Sequence, residues 1–164
     1  MKKLYYDAVQ NTGCIGFFAK EKQIAAAGTT VYVMPQKYFN DKYLKYANEY
    51  DVHFIFDNNI PKPDFYTIPY IDIMAQDSKG GYIATLDSQS DIESDAPIIY
   101  IDSYKKCYMA ADNARNFLEN IASWREKLFA FDEIKFYKSK DEAAVENEFI
   151  KLPLFEKKLN KITE

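Results

Sequence analysis

Over residues 70–75 the side chains alternate with a period of two, Ile71, Ile73 and Ala75 on one side against Tyr70, Asp72 and Met74 on the other. That period predicts a half-buried strand. The turn Asp77, Ser78, Lys79, Gly80, Gly81 follows. Two adjacent glycines reach positive φ without a Cβ clash, so the chain is expected to reverse there and resume as a second strand over 82–86. After an acidic loop, Pro97 opens a short apolar strand over 98–102, and another covers 107–111. The period then becomes helical. Ala114, Phe117, Leu118, Ile121, Trp124 and Leu128 share one stripe, Arg115, Glu119 and Arg125 fall outside it, and Asp112 is the expected N-cap. These patterns predict a sheet crossed on one face by a long amphipathic helix.

The flanks are read in the same way. Leu4, Tyr5, Ala8 and Val9 fit a short helix, and 20–27 has helix-forming composition ended by Gly28. Residues 29–34 alternate as a strand, and Pro35 suits the first position of a helix. Phe39, Tyr43, Tyr46, Ala47 and Tyr50 then form an aromatic stripe, a core face or an exposed contact surface. A strand is expected over 52–56, a breaker-rich loop over 57–64, and a strand over 133–138. Ser139 and Glu142 have capping-box spacing for a helix reaching Leu152 and ended by Pro153, with a last amphipathic segment over 154–162. Together these predict one α+β domain over 1–164, a mostly antiparallel twisted sheet with helices packed on one face, in which 132–164 is a C-terminal extension.

The runs IDIMAQDSKGGYIATL, APIIYID and YMAADNARNFLENI together resemble the SUKH superfamily, which holds fungal regulators of cell-wall synthesis and bacterial immunity proteins. The resemblance is clearest over 66–121 and rests on Asp77, Gly80, Gly81, the proline-started strand from Pro97 to Tyr100, and the helix entry at Ala111, Asp112, Phe117 and Leu118. Upstream, Met34, Pro35, Tyr38, Leu44 and Asn48 keep the family's order, whereas Glu49 and Tyr50 stand where the family has glycines. The resemblance implies a protein-binding function. Its bacterial members bind and neutralise toxin domains, often nucleases with basic surfaces, and its fungal members imply a regulatory scaffold.

At 164 residues the chain is long enough to bury about two-thirds of the surface its unfolded form exposes, with no need of a disulfide or metal. Its 14 Tyr and 12 Phe point to a sheet-rich fold with hydroxyls reaching solvent or partners. Cys14 and Cys107 are isolated, as expected of reduced thiols. No apolar run has the length of a signal peptide or a membrane span, so a cytoplasmic protein is expected.

The net charge of -4 is unevenly placed. Residues 1–63 carry 8 Lys against 6 acids, 64–114 carry 3 against 9, and 115–164 balance at 10 each. A nucleic-acid surface needs the opposite of that middle segment, which argues against direct nucleic-acid binding. Asp87, Gln89, Asp91, Glu93 and Asp95 place acceptors at every second residue, yet Ile92 and Ile98 stand where a calcium loop needs its glycine and its bidentate glutamate. The single histidine, His53, sits in an apolar run and reads as a packed imidazole, and no zinc set can be drawn from it and two distant cysteines. Neither a phosphate loop nor a nucleophile elbow occurs, so no cofactor and no catalytic residue is expected.

The remaining chemistry is that of capture. Asp87, Asp91, Glu93 and Asp95, with Tyr82 and Tyr104 near the strand ends, are the expected partner-binding residues for a toxin domain or another basic protein. Asp77, Gly80 and Gly81 are expected to make the turn. A solvated acidic loop with no partner, a regulatory scaffold and a small-molecule enzyme stay as alternatives, and monomer and homodimer are both open.

Overall fold

The computed structural model describes residues 3–9, 23–90 and 93–150. Strands β1 (Leu4–Asp7) and β2 (Ile24–Ala27) pair in parallel, and β3 (Thr29–Val31) follows β2 after Gly28. A 3-10 turn, Gln36–Tyr38, precedes helix α1 (Asp41–Tyr50), whose N-cap is Asn40, accepting from the Lys42 N–H at 2.9 Å. Strands β4 (His53–Phe54), β5 (Tyr66–Ile68), β6 (Ile71–Gln76), β7 (Tyr82–Leu86), β8 (Ile98–Ile101) and β9 (Cys107–Ala111) come next. Helix α2 (Ala114–Glu119), a 3-10 stretch Ile121–Lys127, β10 (Phe129–Ala130), β11 (Lys135–Tyr137) and α3 (Lys140–Glu146) complete the order.

The main sheet has seven strands, six in the order β10-β9-β8-β7-β6-β3 and β4 beside β6 off that path. From β6 to β10 every pairing is antiparallel. The free edge of β6 is shared between parallel β3, at Ile71 to Ile73, and antiparallel β4, at Ala75 and Gln76. The fold is therefore α+β with a mostly antiparallel sheet. One face of the sheet packs against α1, α2 and the 3-10 stretch, through Tyr46, Met74, Ile83, Tyr100, Phe117 and Trp124. The opposite face holds Ile55, Phe65, Ile73, Ala84, Ile99 and Ile134, with no helical residue among them. A smaller cluster joins Ala27, Tyr66, Ile68, Tyr137 and Ala143 of α3.

Several expectations are corrected. Strand β6 is buried on both faces, because the second face is covered by the 55–65 connection and by Ile134. A bulge between Ile73 and Ala75 also breaks its alternation, so Ala75 joins Met74 on the helix face instead of Ile71 and Ile73. The N-terminal segments expected as helices hold β1 and β2, since two four-residue segments gain more from parallel pairing with each other than from local helix propensity. Pro35 precedes a 3-10 turn, not α1, and leaves Phe39 outside the helix.

Asp112 is not the N-cap of α2. Asn113 is, accepting from the Asn116 N–H at 2.8 Å, and Asp112 lies exposed one residue earlier. The long helix is also interrupted: the Asn120 side chain donates to the Asn116 carbonyl at 2.9 Å and ends α2, and the 3-10 stretch beyond has a non-helical Ser123. Its apolar stripe still lands on the sheet at Ile121 and Trp124. Helix α3 is capped by Ser139 as expected, at 3.2 Å to the Glu142 N–H, but stops at Glu146. There the Asn147 side chain takes the Ala143 carbonyl, and the backbone returns to pair Phe149 with Tyr5. Cys14, Pro153 and the 154–162 segment lie outside the described residues.

Candidate functional site

Two polar assemblies and one cleft lie on the helix-bearing side of the sheet. The first assembly is the β6–β7 turn. Asp77 accepts from the Gly81 N–H at 2.7 Å and the Lys79 N–H at 3.0 Å through Oδ1, which closes the turn on its own backbone. Through Oδ2 it accepts from the Tyr100 hydroxyl at 2.6 Å and from Arg125 at 3.0 Å. Gly80 has φ +85, and a Cβ on Gly81 would stand 2.6 Å from the Tyr100 ring, so the two glycines answer different requirements.

Arg125 also donates to Asp51, the residue in αL conformation that ends α1, and lies over the Trp124 ring at 4.3 Å. Asp51 in turn accepts from the Ser78 N–H and hydroxyl and meets Nε2 of His53 at 3.0 Å. Burial pushes both carboxyls upward, but the donors outweigh it and hold Asp77 and Asp51 below the ordinary carboxylate value. The Tyr100 hydroxyl goes the other way, pushed up to about 12 by burial and by its bond to Asp77. Asp77, Gly80 and Gly81 thus sit in a turn as expected, and the turn is bolted to β8 and to the end of α1.

The second assembly surrounds Asp72, a buried carboxylate on β6. It accepts from the Thr30 hydroxyl at 2.7 Å and the Ser90 N–H at 2.7 Å, and Thr30 also meets the Tyr70 hydroxyl at 2.6 Å. The Ser90 hydroxyl donates to the Asp72 carbonyl at 3.1 Å and lies 3.2 Å from that of Thr85. Ser90 is thereby the anchor of the acidic loop. Around it, Asp87, Glu93 and Asp95 are exposed, Asp87 with φ +62, and Asp91 lies outside the described residues. Pro97 is half-buried and its carbonyl accepts from the Leu86 N–H, closing the loop at 3.0 Å.

The two expected tyrosines are not beside that loop. Tyr82 pairs with Ile101 at the far end of β7, about 13 Å along the strand from Leu86, and packs edge-on against Phe65 on the opposite face of the sheet. Tyr104, 91% exposed, lies in the β8–β9 turn at that same far end. The error has a simple source: a strand separates its two ends, and alternation put Tyr82 on the face away from the helices.

Other aromatic residues stand next to the loop. A cleft of about 420 Å³ opens between α1 and α2, with Phe54 and Met74 beneath it, Tyr43 and Tyr46 on the α1 side, and Ala114 and Leu118 on the α2 side. Tyr32, Met34 and Tyr38 extend its wall, and Ser90 brings the base of the acidic loop to its edge. Tyr43 meets the rings of Tyr46, Phe54 and Phe56 edge-on, which holds the wall rigid. Sequence reasoning pointed to this stripe but left it open between core and contact surface. In that stripe Tyr46 is buried, Tyr43 and Tyr50 are half-buried and Phe39 is exposed. Arg125, Asp51 and Ser90 were missed, since the partners that place them, Asp77, Ser78 and Asp72, lie 18 or more positions away.

Among the described residues no three His, Cys, Asp or Glu side chains converge to hold a metal ion, and no helix is long and apolar enough to cross a membrane. No protein-family model, no curated protein and no solved structure matches the chain.

Proposed function

We propose that this chain is a non-enzymatic binding protein that captures a basic protein partner on its acidic loop, in the manner of the bacterial immunity proteins its 66–121 run resembles. The partner is a toxin domain whose cationic surface serves nucleic acid, and the encounter takes place in the bacterial cytoplasm. The observation that carries this reading is the disposition of charge. Asp72 and Asp77 are buried and hold turns together, and Asp87, Glu93 and Asp95 are exposed on a stretch, 80–104, with no Lys or Arg. The loop is also tied at Ser90 and at the Leu86 to Pro97 bond, and fixed ends lower the ordering cost of binding. A cationic surface is drawn to such a patch faster than diffusion alone allows, and the gain fades with salt.

The test is capture from the native host, followed by association kinetics with the captured partner. Neutralising Asp87→Asn, Glu93→Gln and Asp95→Asn together should slow association at low salt about tenfold and flatten its salt dependence. An unchanged on-rate at low salt refutes the acidic loop as the docking surface. A partner that is harmless to cells lacking this chain refutes toxin neutralisation and favours the regulatory scaffold.

A further inference from the structure

The cleft between α1 and α2 has a chemistry different from that of the acidic loop. Four of its lining residues, Tyr32, Tyr38, Tyr43 and Tyr46, carry phenol hydroxyls that make no hydrogen bond among the described residues. Among the described residues no carboxylate lines the cleft, and Lys42 is the one charged lining residue; it forms no ion pair with any of them and lies with Nζ 5.8 Å from the centre of the Tyr46 ring. The floor is apolar and adaptable, with Met74 below and Met34 at the wall.

Flat aromatic walls, unused phenol donors and a single ammonium group define a guest. We infer that the cleft is a binding site for a small planar aromatic molecule bearing one anionic group, its rings between Tyr43 and Leu118 and its charge toward Lys42. The volume is that of a site for a compact ligand, within the usual range of about 300–1,000 Å³. Of the loop's acids, Asp87, Glu93 and Asp95 do not line the cleft, which adjoins the loop at Ser90.

Two fluorescent probes isolate the charge: anilinonaphthalene sulfonate and its neutral parent, phenylnaphthylamine. The folded wild-type chain should bind one anionic probe per molecule with a dissociation constant about tenfold below that of the neutral probe. Because the probe binds the native state, it should also raise the urea midpoint. Lys42→Met should bring the two probes within about twofold, Lys42→Arg should restore the gap, and Leu118→Trp, which fills the cleft, should weaken both at least tenfold. Lys42 is exposed, so its variants keep the fold, and near-ultraviolet circular dichroism verifies this for each protein. Equal affinity for the two probes, a lowered urea midpoint, or no effect of Lys42→Met or of Leu118→Trp overturns the assignment. The assignment rests on Lys42 and the cleft walls, so the triple neutralised variant should keep both the preference for the anionic probe and its loss in Lys42→Met.

Discussion

Nη2 of Arg125 lies 3.0 Å from Oδ2 of Asp77, joining the stretch after α2 to a turn 48 positions earlier, and the same nitrogen reaches Asp51 at 3.0 Å. The Asp77 side chain has no exposure, while that of Arg125 keeps 37%. The two partners should therefore differ in what their loss costs. Asp77→Ala strips acceptors from Tyr100, Gly81 and Lys79 as well as from the guanidinium, and should lower stability by about 3 kcal/mol. Arg125→Met keeps the packing on Trp124 and removes a half-solvated charge, and should cost about 1 kcal/mol. Urea denaturation decides this through the shift in midpoint at unchanged slope. Equal losses would mean that the carboxylate acts through Arg125 alone.

The same assembly should set the pH limits of the fold. The Asp77 and Asp51 carboxyls sit below their unfolded value near 4, so the stability they contribute is complete above that pH. It is lost as the pH falls further, through the folded values, because the unfolded chain takes up protons first. The Tyr100 hydroxyl sits at about 12 against 10.0 unfolded, so its contribution is present below pH 10 and is lost as the pH rises toward 12. A urea midpoint measured across pH should fall at both ends. Asp77→Asn should flatten the acid limb, and Tyr100→Phe should reduce the alkaline slope, leaving what Tyr70 contributes.

Gly80 and Gly81 are adjacent but should fail in opposite ways. At Gly80 the constraint is φ +85, and a Cβ would meet only the Ser103 Cβ at 3.8 Å, an ordinary contact, so Gly80→Asn should cost less than Gly80→Ala, because asparagine tolerates the left-handed region. At Gly81 the constraint is the Tyr100 ring, so size alone matters. Gly81→Ala should cost about 2 kcal/mol and Gly81→Asn more. Thermal unfolding of the four variants gives the order directly. A shared order at the two positions would make both glycines conformational.

What could be read from the chain follows the range of the physics involved. The strands at 82–86 and 107–111 are strands over those same residues, because alternation and turn glycines act between near neighbours. The bulge at Met74 was illegible, since it arises from the requirements of two faces at once. The helices expected near Leu4 and Ile24 became strands because each is the other's partner across a gap of 20 positions, which no local window contains. Asp112 and Asn113 are both good caps, and only the backbone direction entering α2 chooses between them. At the site, the acids were legible as a charge run. Their neighbours were not, because Tyr32 and Tyr38 reach the edge of the loop through the fold, and Tyr82 is carried off by the length and pleat of β7.

Asp72 and Ser90 make the last prediction, which concerns how firmly the acidic loop is held. Among the described residues Asp72 is buried without a cation, and its two oxygens accept from the Thr30 hydroxyl and the Ser90 N–H. Thr30→Val has nearly the shape of threonine but leaves one buried oxygen short of its donor, and should cost about 2 kcal/mol of global stability. Ser90→Ala keeps the backbone donor and loses only the hydroxyl bonds to the Asp72 carbonyl and to Thr85, so its global cost should be about 1 kcal/mol. Its local effect should be larger, because the loop is anchored on one side by Ser90 and on the other by the Leu86 to Pro97 bond. Hydrogen exchange should therefore show the amides of Leu86 and Ser90 opening about tenfold faster in Ser90→Ala, with β8 and β9 unchanged. In Thr30→Val the loss should be spread over the sheet. If Ser90→Ala leaves those two amides as protected as in the wild type, the loop is held by its ends alone, and its acids are not preset for a partner.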